Sequence, residues 1–97
     1  MTPREKEILD SVTAILRDEL DPKKIVLFGS RAKGNAPHHA DFDIGVETQN
    51  CSNRAATRRQ IEAVAGLYRI DLVFFDEIDQ GFKDIILKTG KVIYEKS

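Results

Sequence analysis

The sequence contains little cysteine, no tryptophan and no long apolar run. Its only cysteine, Cys51, excludes an internal disulfide and a cysteine metal cluster. No apolar stretch approaches the roughly 20 residues that a membrane-spanning helix requires. The N-terminal residues become charged at Arg4 and lack the apolar segment of a secretion signal. We therefore expect a cytoplasmic protein that does not bind a membrane.

Positive charge is not in excess either, because the net charge at pH 7 is −1. Proteins that wrap duplex nucleic acid usually carry a clear positive excess, so the composition argues against nucleic-acid binding. A small anionic ligand held by local groups remains compatible with it. With 97 residues, 41% of them hydrophobic and 32% charged, the chain is expected to form one globular domain over residues 1–97.

The apolar pattern predicts an α/β (α+β) domain, a small mixed sheet flanked by helices. A capping box of Thr2 and Glu5 with Pro3 begins the first helix, and Asp21–Pro22 ends it. The further elements are strands over 25–28, 41–46, 69–75 and 92–94, and helices over 30–33, 53–65 and 80–88. In the last two helices the side chains expected to face the core are Ile61, Val64, Ala65, Leu67, Phe82, Ile85, Ile86 and Leu87.

Three local features indicate a binding site, and the first is Gly29–Ser30 after the first strand. Glycine allows a sharp turn and a close approach of a ligand, and Ser30 is expected to cap the following helix. A helix N-terminus with its free N–H groups is suited to phosphate, and Arg31 and Lys33 add positive charge. The alternative is an ordinary turn from strand to helix.

The second feature is Asp41–Phe42–Asp43. Residues two apart in a strand point to the same face, so Phe42 faces the core while the two carboxylates stand together. Neighbouring carboxylates repel each other unless a positive charge lies between them, and Mg²⁺ prefers carboxylate oxygen. The alternative is a solvated polar face.

The third feature is Asp71, a single acid inside an apolar strand. A buried lone carboxylate needs a partner or a metal. If this strand pairs with the Asp41–Asp43 strand, Asp71 can reach the same ion. The alternative is a salt bridge to Arg69, two residues earlier on the same strand face.

In this order the three features resemble the nucleotidyltransferase superfamily that includes DNA polymerase β, and most closely its minimal (MNT) branch. That family's pattern is Gly-Ser, a spacer, Asp-x-Asp and a later third carboxylate. Here ten residues, 31–40, separate Gly29–Ser30 from Asp41. One departure is Ala40, where many members have serine. The preceding His38 and His39 are interpreted as loop residues rather than metal ligands.

The resemblance implies a nucleotidyltransferase fold and a reaction with two Mg²⁺ ions and ATP as substrate. Asp41 and Asp43 would share both ions and Asp71 would hold one of them, beside an acceptor hydroxyl that attacks the α-phosphorus. Gly29 and Ser30 would hold the β and γ phosphates, assisted by Arg31 or Lys33.

The resemblance also implies a partner, a helical HEPN-domain toxin on which the MNT protein acts as antitoxin by attaching AMP to tyrosine. The chain has no second domain for an acceptor, which favours a separate protein and a hetero-oligomer, while a homo-oligomer remains open. Two alternatives are kept. One is an antitoxin with weak or no catalysis that neutralises its HEPN partner by stoichiometric binding. The other is a nucleotidyltransferase that modifies a small molecule.

Overall fold

The computed structural model describes residues 1–34, 36–37 and 40–97, so His38 and His39 lie outside the described residues. Its helices are α1 (Pro3–Leu20), α2 (Ser30–Lys33), α3 (Arg54–Ala65) and α4 (Gln80–Thr89). Its strands are β1 (Lys24–Phe28), β2 (Phe42–Glu47), β3 (Ile70–Phe74) and β4 (Lys91–Glu95), with a 3₁₀ turn at Phe75–Glu77 after β3. The predicted order of elements is confirmed, and their bounds differ by at most one residue at either end.

The four strands form one mixed sheet in the order β3-β2-β1-β4. β1 pairs antiparallel with β2 and with β4, whereas β2 and β3 run parallel. β3 and β4 are therefore the edge strands. The parallel pair matters most for the site, because it sets Asp-bearing positions of two strands beside each other.

The ends of α1 follow the local rules of its sequence. The Thr2 hydroxyl accepts a hydrogen bond from the Glu5 amide at 3.2 Å, and the Thr2 amide donates to Glu5 Oε1 at 3.1 Å. These reciprocal bonds are the predicted capping box. The helix ends at Asp21, which has a left-handed backbone (φ 45°) immediately before Pro22.

The main core lies between one face of the sheet and helices α1 and α3. Alternate residues of β2, Phe42, Ile44 and Val46, point to this face and are fully buried. Towards one end of the opposite face, Ile86 of α4 and Phe75 pack against Val26. The other end of that second face carries the acidic residues of β2 and β3.

Several side chains of the last two helices are not buried as predicted. Leu67 follows the end of α3 and is 96% exposed, while Thr57, not predicted to be in the core, is completely buried. In α4 only Ile86 is buried and Ile85 and Leu87 are exposed, while Phe82 is 40% exposed although its ring packs edge-on against Phe28 of β1. The reason is that α4 contacts the sheet along a single line of residues, whereas the prediction assumed a wide buried face.

Among the described residues, no helix is long and apolar enough to cross a membrane.

Candidate active site

The site is built on two acidic residues that the parallel strands place side by side. Asp43 of β2 and Asp71 of β3 are directly paired positions in the ladder. Neighbouring strands are about 4.8 Å apart, and directly paired positions point to the same face. The structure therefore brings Asp43 and Asp71 together on the face opposite the main core.

Asp41 stands at the entrance to β2, one residue before its first strand position. Phe42 anchors this point, since its side chain is fully buried and its amide donates to Arg69 O at 2.9 Å. Asp41 and Asp43 lie two apart around this anchor and are both half-buried. The strand alternation predicted for this motif is confirmed.

Asp41 and Asp71 both act electrostatically on Asp43. The pKa of the Asp43 carboxyl is raised above its usual value, first because burial disfavours the charged form and then because Asp71 and Asp41 repel its charge. Arg69 acts in the opposite direction. The positive charge near an ionised Asp43 therefore does not balance the effects of burial and of the two neighbouring acids.

Gly29 lies directly against Asp43. It has a positive φ of 74° with ψ −155°, a conformation that side-chain-bearing residues rarely adopt. A Cβ at Gly29 would stand 2.4 Å from Asp43 Oδ2. The turn after β1 and the middle acid thus touch each other, although fourteen positions separate them in the sequence.

Ser30 does not cap α2, so that prediction is wrong. Gly29 occupies the N-cap position, Ser30 is the first helical residue, and no side chain makes a capping hydrogen bond there. The hydroxyl of Ser30 is therefore not used for capping and remains a candidate phosphate ligand. Lys33, in the same helix, is exposed.

The side chain of Arg31 lies on the core side of this turn, whereas the sequence predicted it beside the acids. Its side chain is 2% exposed, forms an ion pair with Glu5, and its guanidinium lies 4.0 Å from the centre of the Phe42 ring. A guanidinium held in this way on the core face does not face the acids. The structure consequently removes Arg31 from the predicted phosphate-binding residues.

Asp71 makes the salt bridge that we considered as the alternative to a metal role. Arg69 Nε lies 3.2 Å from Asp71 Oδ1, and the Asp71 side chain is 38% exposed. Since Arg69 is 74% exposed, this pair is solvated and weak. The Arg69–Asp71 salt bridge forms while Asp71 still lies beside Asp43.

The donor chemistry of the site fits Mg²⁺, because all three side chains offer hard carboxylate oxygens and, of the residues described, the exposed Arg69 is the one cation that acts on Asp43. Their spacing is not that of an assembled cage. In the described part of the chain, no three His, Cys, Asp or Glu side chains are grouped so that they could already hold a metal ion.

Sequence reasoning missed one residue near this site. Glu5 was recognised only as a member of the capping box, yet it is also the buried partner of Arg31. The two are 26 positions apart, so no local pattern indicates the contact. A glutamate on the apolar face of α1 is the only signal in the sequence.

Comparison with known families places the chain as a whole. The family model "Polymerase beta, Nucleotidyltransferase" matches residues 10–97. A relative from Haemophilus influenzae, "Probable protein adenylyltransferase MntA", is 31% identical over 93% of this chain and 82% of its own length.

Solved structures with a similar fold include complexes of two proteins. A toxin–antitoxin crystal structure with AMP-PNP aligns with a TM-score of 0.74 and 22% identity, over 91% of this chain and 73% of that one. A structure of a tri-AMPylated Shewanella oneidensis HEPN toxin with its MNT antitoxin aligns with a TM-score of 0.67 and 20% identity, over 94% and 72%. At these identities the likeness concerns the fold, and it agrees with the predicted mixed sheet with flanking helices.

Proposed function

Because this chain belongs to the polymerase β nucleotidyltransferase family, we propose that it is an antitoxin that transfers AMP from ATP to a tyrosine hydroxyl of a HEPN-domain toxin. The relative from Haemophilus influenzae carries the name of a protein adenylyltransferase. The structurally similar Shewanella complex pairs an MNT antitoxin with a HEPN toxin that bears three AMP groups. Both point to a protein acceptor rather than a small molecule.

The observation that carries the proposal is the pairing of Asp43 with Asp71 across parallel strands, with Gly29 in contact with Asp43. Acids packed this closely destabilise each other in a protein that has no cation to bind. A site that only made protein contacts would have no need to gather them.

Asp41, Asp43 and Asp71 would hold two Mg²⁺ ions, which neutralise triphosphate charge and activate the acceptor hydroxyl when bound. The Gly29 backbone amide, the Ser30 hydroxyl and the Lys33 ammonium would bind oxygens of the β and γ phosphates. The contribution of these residues is mainly positioning and charge compensation.

In the reaction the tyrosine oxygen forms a bond to the α-phosphorus while the bond from that phosphorus to the β-phosphate bridging oxygen breaks. Pyrophosphate leaves, and the proton of the hydroxyl passes to the solvent. The product is a tyrosine with AMP attached through a phosphodiester linkage.

The proposal is tested by incubating the chain with a purified HEPN protein, Mg²⁺ and ATP labelled at the α-phosphate. We expect label on the HEPN protein, abolished by Asp43→Asn, which removes one negative charge at nearly constant volume. The matched control is Asp18→Asn, the same change at an exposed position of α1, which should retain full transfer.

Transfer by Asp43→Asn at the rate of the unmodified chain would contradict the assignment of the site. A stable complex that inhibits the HEPN protein without any label would favour the stoichiometric antitoxin instead. Mass spectrometry of the labelled product then identifies the modified residue, and a serine or threonine there would overturn the tyrosine acceptor.

A further inference from the structure

Arg31 is the most completely buried cation near the site. Its side chain is 2% exposed and its ion-pair partner Glu5 is 8% exposed. A charge buried to this degree destabilises the fold unless several groups satisfy it. The contacts of Arg31 therefore show which groups compensate its buried charge.

Two of those contacts converge on one backbone oxygen. Arg31 Nε donates to Ala40 O at 3.0 Å, and Arg31 Nη2 donates to the same oxygen at 2.6 Å. Ala40 is the residue immediately before Asp41. The two guanidinium N–H groups thus hold the backbone at Ala40, just before Asp41 and strand β2.

The rest of the guanidinium is fixed by α1 and by the core. Arg31 Nη1 donates to Glu5 Oε2, and the guanidinium lies over the ring of Phe42, the residue between the first two acids. Arg31 itself stands two residues after Gly29 in α2. One side chain therefore connects the Gly29–Ser30 turn, α1 and both residues that flank Asp41.

We propose that Arg31 is a positioning residue for the active site, one that sets the distance between the Gly29–Ser30 turn and Asp41 by gripping Ala40 O. It does not touch the nucleotide. The proposal rests on the proposed function, since it concerns the same acids.

Arg31→Lys tests the proposal because it keeps the positive charge beside Glu5 and removes the planar fork that reaches Ala40 O. We expect the affinity for Mn²⁺, used as a spectroscopic substitute for Mg²⁺ and measured by electron paramagnetic resonance, to fall by about 10- to 100-fold, as for other residues that orient metal ligands. Hydrogen exchange at the Phe42 amide should accelerate, because its bond to Arg69 O depends on the entry of β2 being held.

Two variants separate positioning from general stability. Glu5→Gln removes the ion pair but leaves the contacts to Ala40, so it should lower the Tm while Mn²⁺ affinity stays near that of the unmodified chain. Arg17→Lys is the matched exchange at an arginine that lies 4.7 Å from the centre of the Tyr94 ring, away from the acids. It should leave both Mn²⁺ affinity and Phe42 exchange unchanged.

The proposal is overturned if Arg31→Lys retains normal Mn²⁺ affinity and Phe42 protection, or if Glu5→Gln weakens Mn²⁺ binding equally. If Arg31→Lys does not fold, the double variant Glu5→Gln/Arg31→Gln replaces it, because removing both charges leaves no unpaired buried ion. Failure of the proposed function is seen separately, as absence of Mn²⁺ binding by the unmodified chain, and Phe42 exchange then decides the role of Arg31.

Discussion

At the scale of single residues, Gly29 combines two properties that no other residue type supplies. Its backbone has φ 74° and ψ −155°, and its missing side chain leaves room for Asp43 Oδ2. A methyl group here would be strained by the backbone and would also collide with a carboxylate. The second effect is the more important for activity, because it displaces the acid at the centre of the site.

We therefore expect Gly29→Ala to lower AMP transfer by about 100-fold, the order reported for ångström-scale misplacement of reacting groups. The backbone strain should destabilise the fold by about 1–3 kcal/mol. Initial rates with labelled ATP and thermal unfolding of the same preparation measure the two effects.

Gly34→Ala is the control for backbone strain alone. Gly34 also has a positive φ, 78°, but a Cβ there meets nothing within 4 Å. The Gly34→Ala variant should be less stable than the unmodified chain by about 1 kcal/mol and should still transfer AMP. Equal activity of Gly29→Ala and Gly34→Ala would disprove the proposed contact between the turn and Asp43.

At the scale of elements, α4 is attached to the sheet by very few side chains. Ile86 is 1% exposed and packs with Val26 and Phe75, whereas Ile85 is 60% exposed. The two isoleucines are neighbours in the same helix and have the same volume. The same substitution at both positions therefore measures how much the buried contact of Ile86 contributes to the docking of α4.

Ile86→Ala should lower the free energy of unfolding by about 2–4 kcal/mol, because it leaves a cavity between α4 and the sheet. Ile85→Ala should change it by less than about 0.5 kcal/mol. Urea unfolding of both variants, followed by circular dichroism, measures the difference. Similar losses in both would mean that α4 packs through a wider face than the structure has.

At the scale of the whole molecule, the Glu5–Arg31 pair ties the first helix to the segment that leads into the acidic strand. Hydrogen bonds from Arg31, and then those with Thr2, lower the pKa of Glu5 to about 2 from a usual value of 4.5. A carboxyl with a lowered pKa stabilises the fold through its charged form. This stabilisation is complete above about pH 4.5 and disappears as the pH falls towards 2.

We expect the unmodified chain to have a higher Tm than Glu5→Gln by a constant amount between pH 5 and 7. The gap should then close between about pH 4.5 and pH 2, as Glu5 takes up its proton and becomes as neutral as glutamine. Calorimetry of both proteins across this range tests the expectation. A gap that persists unchanged at pH 2 would show that the charge of Glu5 is not what stabilises the contact.

The sequence by itself determined the features that depend on near neighbours. The capping box at Thr2 and Glu5, the end of α1 at Asp21 and the shared face of Asp41 and Asp43 all follow from local periodicity and backbone preferences. The same applies to the order of the elements, because apolar spacing differs between helices and strands. These interactions span at most four residues, so they can be inferred without the fold.

Only the tertiary structure decided the features that depend on distant contacts. Parallel pairing of β2 with β3 sets Asp71 beside Asp43, and the packing of α1 against the turn after β1 pairs Arg31 with Glu5. The exposure of Ile85 likewise reflects where α4 meets the sheet. The direction of a side chain in a short helix is set by the partner that the fold brings to it, and that partner lies far away in the sequence.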